Sequence, residues 1–430
     1  MSAYVLGGGV AGIAAAFALR ARGHEVTLLE ARGWLGGRAF SRPDARLAGD
    51  LDNGPHVLLG CYSEFRTLLR RIGTEDGFAR PEALRVRFRD PGGRAGELRL
   101  PALHPVLGFP LGALRCRPLT LGGRLRLVCG GLAALLPVRA TQPLAAWLRR
   151  HHQDGDPSRY FWTPLCRAVM NADPAEVSAK LFLATLRRAL GSGARGMAIW
   201  TAARPWQELL GAPAERALRA AGVSVRGHAR VVSATCAEGR VQTLHLGDGE
   251  TLALGRDQTV VSALPWHGFA RLFPGACGPA AARLEGAPIV TAHFTLPATA
   301  APRDEGPIVA LVDGAPFHFL CRRPGDAAER FALLSGGDPG LGAAPAPEIE
   351  AAARAQLRRH YPEADAAAGV VRVVREARAT AKFTPEVAEA RVAPGPVPGL
   401  ANLLVCGDWT ATGLPSTLEG AALSARMACG

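Results

Sequence analysis

The first thirty residues constrain this chain most. Ala3-Tyr4-Val5-Leu6 is a short apolar run, Gly7-Gly8-Gly9-Val10-Ala11-Gly12 follows at once, and Ile13–Leu19 is an alanine-rich helix former. Gly23 ends that helix, and Glu25-Val26-Thr27-Leu28-Leu29-Glu30 reads as the next strand. Strand, glycine turn, helix and strand is the context in which G-x-G-x-x-G marks a dinucleotide site. Gly7 permits the tight turn, Gly9 lets backbone approach a pyrophosphate, and Gly12 lets the helix pack on the strand. The amides of Val10 and Ala11, at the helix N-terminus, offer N–H groups and a partial positive charge to phosphates. Glu30 ends the second strand, where a carboxylate accepts hydrogen bonds from an adenosine ribose.

The chain has 430 residues, enough for two or three domains. Its formal net charge of +13 raises the question of nucleic acid, but only Lys180 and Lys382 among its 50 cationic side chains are lysine. That ratio fits a compositional bias with a local basic face. No helix-turn-helix, RNA-recognition or zinc-finger pattern accompanies it, so no nucleic-acid partner is expected. The nine cysteines, Cys277 among them, are dispersed, with no C-x-x-C pair and no zinc-ligand spacing. No metal is expected, and together with the lack of a signal-like segment this leads to an expectation of reduced thiols and a cytoplasmic location; peripheral contact with the inner face of the membrane is expected from the arginine-rich stretch described below.

Immediately after Glu30 comes Ala31, then Arg32-Gly33-Trp34-Leu35-Gly36-Gly37-Arg38. Paired glycines allow close backbone approach, and Arg38 supplies a cation to a phosphate or flavin edge. Placed there, the element resembles the flavin amine oxidase and carotenoid desaturase superfamily, in which the same block lies against FAD. Gly49-Asp50-Leu51-Asp52-Asn53-Gly54-Pro55-His56-Val57 resembles the next block. The resemblance implies that Gly54, Pro55 and His56 run past the isoalloxazine. It also implies a discontinuous FAD domain: Asp257–Pro265 resembles a strand that returns to the sheet, and backbone at Val232 is expected on the adenine side. At the other end, the apolar Asn402–Cys406 leads into Gly407-Asp408, and Thr417-Leu418 opens the last helix, suiting contacts with the ribityl chain and pyrimidine end.

The middle of the chain narrows the resemblance. Phe161-Trp162-Thr163-Pro164-Leu165-Cys166, Ala168-Val169-Met170-Asn171, Ala175–Ala179 and Arg375–Thr380, with Gly407–Thr417, resemble the squalene-associated FAD-dependent desaturases, the hydroxysqualene dehydroxylase family. The resemblance implies reductive removal of the hydroxyl from hydroxysqualene, with hydride from N5 of reduced flavin and an unidentified electron donor for FAD. Its partner is then an apolar C30 isoprenoid, in squalene and hopanoid biosynthesis. Loss of the hydroxyl calls for a proton donor, and His56 is the candidate catalytic residue. A carotenoid-type or other polyprenoid desaturase of the same fold is the alternative. An amine oxidase fits less well, because such enzymes commonly place a lysine near flavin N5 and this chain has two lysines in all.

The expected fold is α/β, amine oxidase/phytoene desaturase-like. A Rossmann-like FAD-binding domain covers 1–75, 205–270 and 395–430, and a mixed α+β substrate domain covers 76–204 and 271–394. Ile289–Phe294 and Phe331–Leu334 read as strands, Pro347–Tyr361 as a helix and Gly336–Pro347 as a loop. Residues 98–153 hold eight arginines and no Asp or Glu, with apolar segments between. That pattern suits helices lying in an anionic membrane interface.

Overall fold

The computed structural model describes residues 1–47, 49–276, 278, 283–302, 306–323 and 330–430. A six-stranded sheet runs in the order Ser224–Arg226, Glu25–Leu29, Ser2–Leu6, Thr259–Ser262, Leu400–Val405, Gly395–Val397. The first five strands are parallel and the last is an antiparallel edge. Parallel strands are buried on both faces, and Val5, Leu28, Val260, Val261, Leu403 and Val405 are fully buried. Helix Val10–Ala21 makes the first crossover and packs on helix Leu418–Cys429, which in turn meets Ser63–Arg71. The sheet thus gathers three distant stretches of sequence. Because strands 25–29 and 259–262 flank opposite sides of 2–6, the crevice for a ligand opens at the carboxyl ends of these strands.

A second, seven-stranded sheet has the order Val370–Ala381, Gly286–Thr295, Arg330–Gly336, Phe319–Cys321, Ile308–Leu311, Arg85–Arg89, Ala95–Arg99. It is antiparallel except where Ile308–Leu311 meets Arg85–Arg89. Alternation divides its faces. Val309 and Leu311 join Phe294, Leu333 and helix Ala346–His360 in a core of their own, whereas Ile308 and Ala310 face the other way, onto the main core. Helices Pro105–Arg115, Leu121–Ala133, Leu144–Arg150, Thr163–Met170 and Ala179–Gly191 close that side. A small sheet of Val57–Leu59, Ile199–Ala202 and Phe78–Ala79 ties the two halves together.

The expected loop Gly336–Pro347 contains a helical turn, Pro339–Ala343. Asp338 accounts for it: its carboxylate accepts from Leu341 N at 3.0 Å, and Pro339 suits the first helical position. Among the described residues no helix is long and apolar enough to cross a membrane. Eight cysteines are free thiols, and Cys277 lies outside the described residues.

Candidate active site

A cavity of about 760 Å³ starts at the carboxyl ends of the parallel strands and continues between the seven-stranded sheet and helices 163–170 and 179–191. Its first end is largely backbone. Gly7, Gly9, Val10 and Ala11 line it, as do Glu30, Ala31 and Arg32, Gly37 and Arg38, and Gly54, Pro55 and His56. From the far end of the sequence come Gly407, Asp408, Thr417 and Leu418.

Gly12 is off the wall, and its part is packing: a Cβ there would sit 1.8 Å from Gly7 O. At Gly9 a Cβ would meet only Gly37, at 3.9 Å, so the backbone there is open to a ligand. The helical ladder begins with Ile13 N donating to Gly9 O. The amides of Val10 and Ala11 are therefore left for a partner in the cavity, with no acidic residue in the first turn to oppose an anion. Glu30 Oε2 accepts from Gly8 N at 2.6 Å and Oε1 from Arg32 N at 2.8 Å, which fixes the carboxylate against the glycine turn. Arg38 pairs with Asp408 at 2.6 Å and also donates to Ala379 O, joining the N-terminal block to the C-terminal one.

Gly407 N donates to Ser424 Oγ at 2.8 Å, so the last helix holds the Gly407-Asp408 turn in place. Thr417 caps that helix, its Oγ1 accepting from Gly420 N at 3.0 Å. Glu419, fully buried, accepts from Glu64 N at 3.0 Å and Phe65 N at 2.9 Å and pairs with Arg188. Burial raises its pKa, opposed by those amides and by Arg188.

One expected contact shifts. Val232 does not line the cavity; Ala229, Arg230 and Val231 do. Strand alternation turns Val232 to the face opposite buried Val231, and Val232 is exposed.

His56 lines the cavity, with its ring edge-on to Trp206 at 5.3 Å. Its Nε2 lies 3.3 Å from Arg38 O. A carbonyl only accepts, so Nε2 carries the proton and Nδ1 keeps the lone pair. Burial pulls the pKa below the usual imidazole value, so the ring is neutral. Behind it lies a smaller cavity of about 70 Å³, lined by Asp50, Asp52, His293, Arg322, Arg323 and Arg330. Pro55, His56, Val57, Ile308 and Cys321 belong to both walls, so His56 stands between the main cavity and this smaller one, whose walls also include Trp206, Phe294 and Phe331. Asp52 there accepts from Arg323 at 2.7 Å and from Ser41 Oγ at 2.5 Å.

Beyond the cofactor end the walls are mainly apolar: Leu84, then Val86 and Phe88 on the strand after it, share the sheet side with Ala310, Phe319 and Leu334, and Phe182, Leu186 and Ala189 come from a helix. Several polar wall residues escaped the reading of the sequence as site residues, among them Asn171, His267, Arg271, Glu376 and Arg378. Asn171 takes a left-handed backbone (φ 52°) at the end of helix 163–170 and donates to Thr380 Oγ1 at 2.9 Å. Burial, then Arg378, Arg38 and Arg271, lower the pKa of His267. Asn at a helix end was the one readable signal. Neither lysine lines the cavity: Lys180 pairs with Glu389 at 2.7 Å and Lys382 with Glu176.

The glycine cradle, open helix amides, ribose-side carboxylate and Gly-Asp turn fit FAD, and comparison with known proteins agrees. The sequence profile described as flavin-containing amine oxidoreductase matches residues 10–430. The hydroxysqualene dehydroxylase of Rhodopseudomonas palustris is 32% identical over 99% of this chain and 96% of its own. That of Sinorhizobium fredii is 30% identical over the same shares. A probable zeta-carotene desaturase of Synechococcus elongatus is 27% identical over 64% of this chain and 61% of its own. Among solved structures, an oxidoreductase from Methanosarcina mazei has a TM-score of 0.76 at 14% identity, covering 99% of both chains. Cyclohexylamine oxidase from Brevibacterium oxydans has a TM-score of 0.69 at 19% identity, covering 100% of this chain and 97% of its own. The chain is an FAD-dependent oxidoreductase that belongs to the flavin-containing amine oxidoreductases and, within them, to the hydroxysqualene dehydroxylase family.

Proposed function

We propose that the protein removes the hydroxyl of hydroxysqualene reductively, giving squalene and water, at a step of triterpenoid (hopanoid) biosynthesis. The observation that carries this reading is the continuity of the flavin end of the cavity with a long apolar chamber. A C30 hydrocarbon has almost nothing to grip but apolar surface, worth about 25 cal/mol per Å² buried, and that is what the chamber walls offer. Bound in reduced form, the flavin supplies the hydride that the carbon takes up. An external electron donor restores it.

The chain's own residues must seat the carbinol carbon, exclude water and deliver one proton, so that the C–O bond breaks and the oxygen leaves as water. His56 is the candidate for that proton; it lines both the apolar chamber and the smaller cavity that holds Asp52 and His293. Its Nε2–H is engaged with Arg38 O, so the neutral ring takes a proton from water at Nδ1 and passes that proton to the leaving oxygen. His56→Ala is expected to keep its flavin and to lose about 100-fold or more in turnover. Unchanged turnover at full flavin occupancy would remove His56 from the mechanism.

The zeta-carotene desaturase relative supports the alternative, hydride transfer from a polyene to oxidised flavin. One experiment separates the two. Reduced holoenzyme is given hydroxysqualene, oxidised holoenzyme is given a linear polyene, and both extracts are analysed by mass. Squalene from the reduced enzyme alone is the expected result. A product with added double bonds from the oxidised enzyme, and no squalene, would replace this reading with the alternative.

A further inference from the structure

Helices Pro105–Arg115 and Leu121–Ala133 are apolar on both sides. The inner side is buried through Phe109, Ala113 and Leu127. The outer side carries Val106, Leu107, Leu121, Leu125 and Leu132, with Leu136 just past the second helix, all exposed, Leu107 at 62% and Leu121 at 70%. A solvated helix turns charge outward, and contiguous exposed apolar surface marks a face with an apolar partner. The two helices form one plate. A Cβ on Gly131 would lie 2.3 Å from the Phe109 ring, and Arg124 of the second helix donates to Leu114 O, Arg117 O and Leu119 O around the join.

Charge identifies the partner. Residues 98–153 carry eight arginines and no carboxylate. Among the described residues none of the eight enters an ion pair, although arginines elsewhere, such as Arg38, Arg66 and Arg188, do. Arg115, Arg117, Arg139, Arg149 and Arg150 are exposed. Arginines without carboxylate partners, in the same stretch of chain as an exposed leucine face, match lipid phosphates above acyl chains. A second copy of the chain would bring the same cations to its own face, with no carboxylate between them to compensate.

The plate also lies close to the cavity. Phe109 packs edge-on against Phe161 at 5.3 Å, and Phe161 is a cavity wall. We infer that this helix pair docks the protein on an anionic bilayer, with the Phe109–Phe161 pair as the passage between membrane and chamber. Docking goes beyond the proposed reaction and is measured without turnover.

The test is co-sedimentation of holoenzyme with phosphatidylcholine vesicles, with and without 30% phosphatidylglycerol. Binding is expected to the anionic vesicles and to weaken with salt. The double variant Leu107→Glu/Leu125→Glu is expected to bind at least tenfold more weakly, while the control Val370→Glu, on an exposed strand elsewhere, binds as before. With hydroxysqualene embedded in the vesicles the double variant should lose turnover, and with detergent-dispersed substrate it should keep it. No vesicle binding by the wild type, or equal binding by the double variant, overturns the docking. A dimer that the double variant splits, with no vesicle binding, also overturns it and gives the face to a second copy. If binding behaves as expected and neither form turns over hydroxysqualene, the docking stands and the reaction falls. Equal loss of turnover from vesicles and from detergent overturns the passage.

Discussion

The two ends of the cavity are made by different means. At the cofactor end, backbone does the work: Gly7, Gly9 to Ala11, Gly37, Gly54 and Gly407 leave room for a ligand against main chain, and few side chains can replace them. At the far end, side chains from strands 85–89, 308–311, 319–321 and 330–336 and from helices 163–170 and 179–191 enclose a volume. The first construction fixes a pattern in sequence, and the second fixes only size and polarity. Changes at the first end should therefore abolish cofactor binding, whereas changes at the second should alter substrate handling with the flavin in place.

The largest effect is expected from Gly12→Val, whose side chain would collide with Gly7 O. Flavin absorbance per mole of purified protein should fall below about a tenth of wild type with helical content kept; retained stoichiometric flavin would break the comparison. Asp408→Ala comes next, because it strips Arg38 of its partner at 2.6 Å. Titration of apoprotein with FAD should show affinity lower by about 10- to 100-fold, from the roughly 1.5–3 kcal/mol of a hydrogen bond to a charged group.

The seven-stranded sheet predicts an acid sensitivity of its own. Burial holds His293 near a pKa of about 4 and His318 near about 3, against about 6.5 when unfolded. Below pH 6.5 the unfolded chain takes up these protons and the folded one does not, so stability present above that pH is lost as pH falls towards 4. Each group contributes about 2 kcal/mol of loss by pH 5. Thermal unfolding at pH 7.5 and 5.0 measures it, and His318→Gln should reduce the difference between the two melting temperatures. The smallest effect is expected at Ala168, an exposed residue on the chamber wall. Ala168→Phe should raise KM for the C30 substrate by about tenfold and leave flavin content unchanged.

The same contrast explains what could be read beforehand. The strand, glycine turn and helix at 2–21, the carboxylate at Glu30 and the Gly407-Asp408 turn were legible because backbone geometry demands those residues. That Val231 lines the cavity and Val232 does not is a difference of one residue that composition does not carry. The chamber was not legible: Leu, Phe and Ala on its walls are the same residues that fill any core. Nor was the second cavity behind His56, since Asp52, His293 and Arg323 meet only when strands far apart in sequence come together. The amphipathic segment was visible as arginine without acid, but which of its leucines face outward depends on the packing of Gly131 against Phe109.

The central claim is that this flavoprotein gives hydride to hydroxysqualene, and anaerobic single turnover tests it most directly. Holoenzyme is reduced chemically, mixed with detergent-dispersed hydroxysqualene, and sampled for squalene while flavin absorbance is followed. One squalene formed per flavin reoxidised, with the same time course, is the predicted result. Flavin that stays reduced while hydroxysqualene is recovered intact would contradict it.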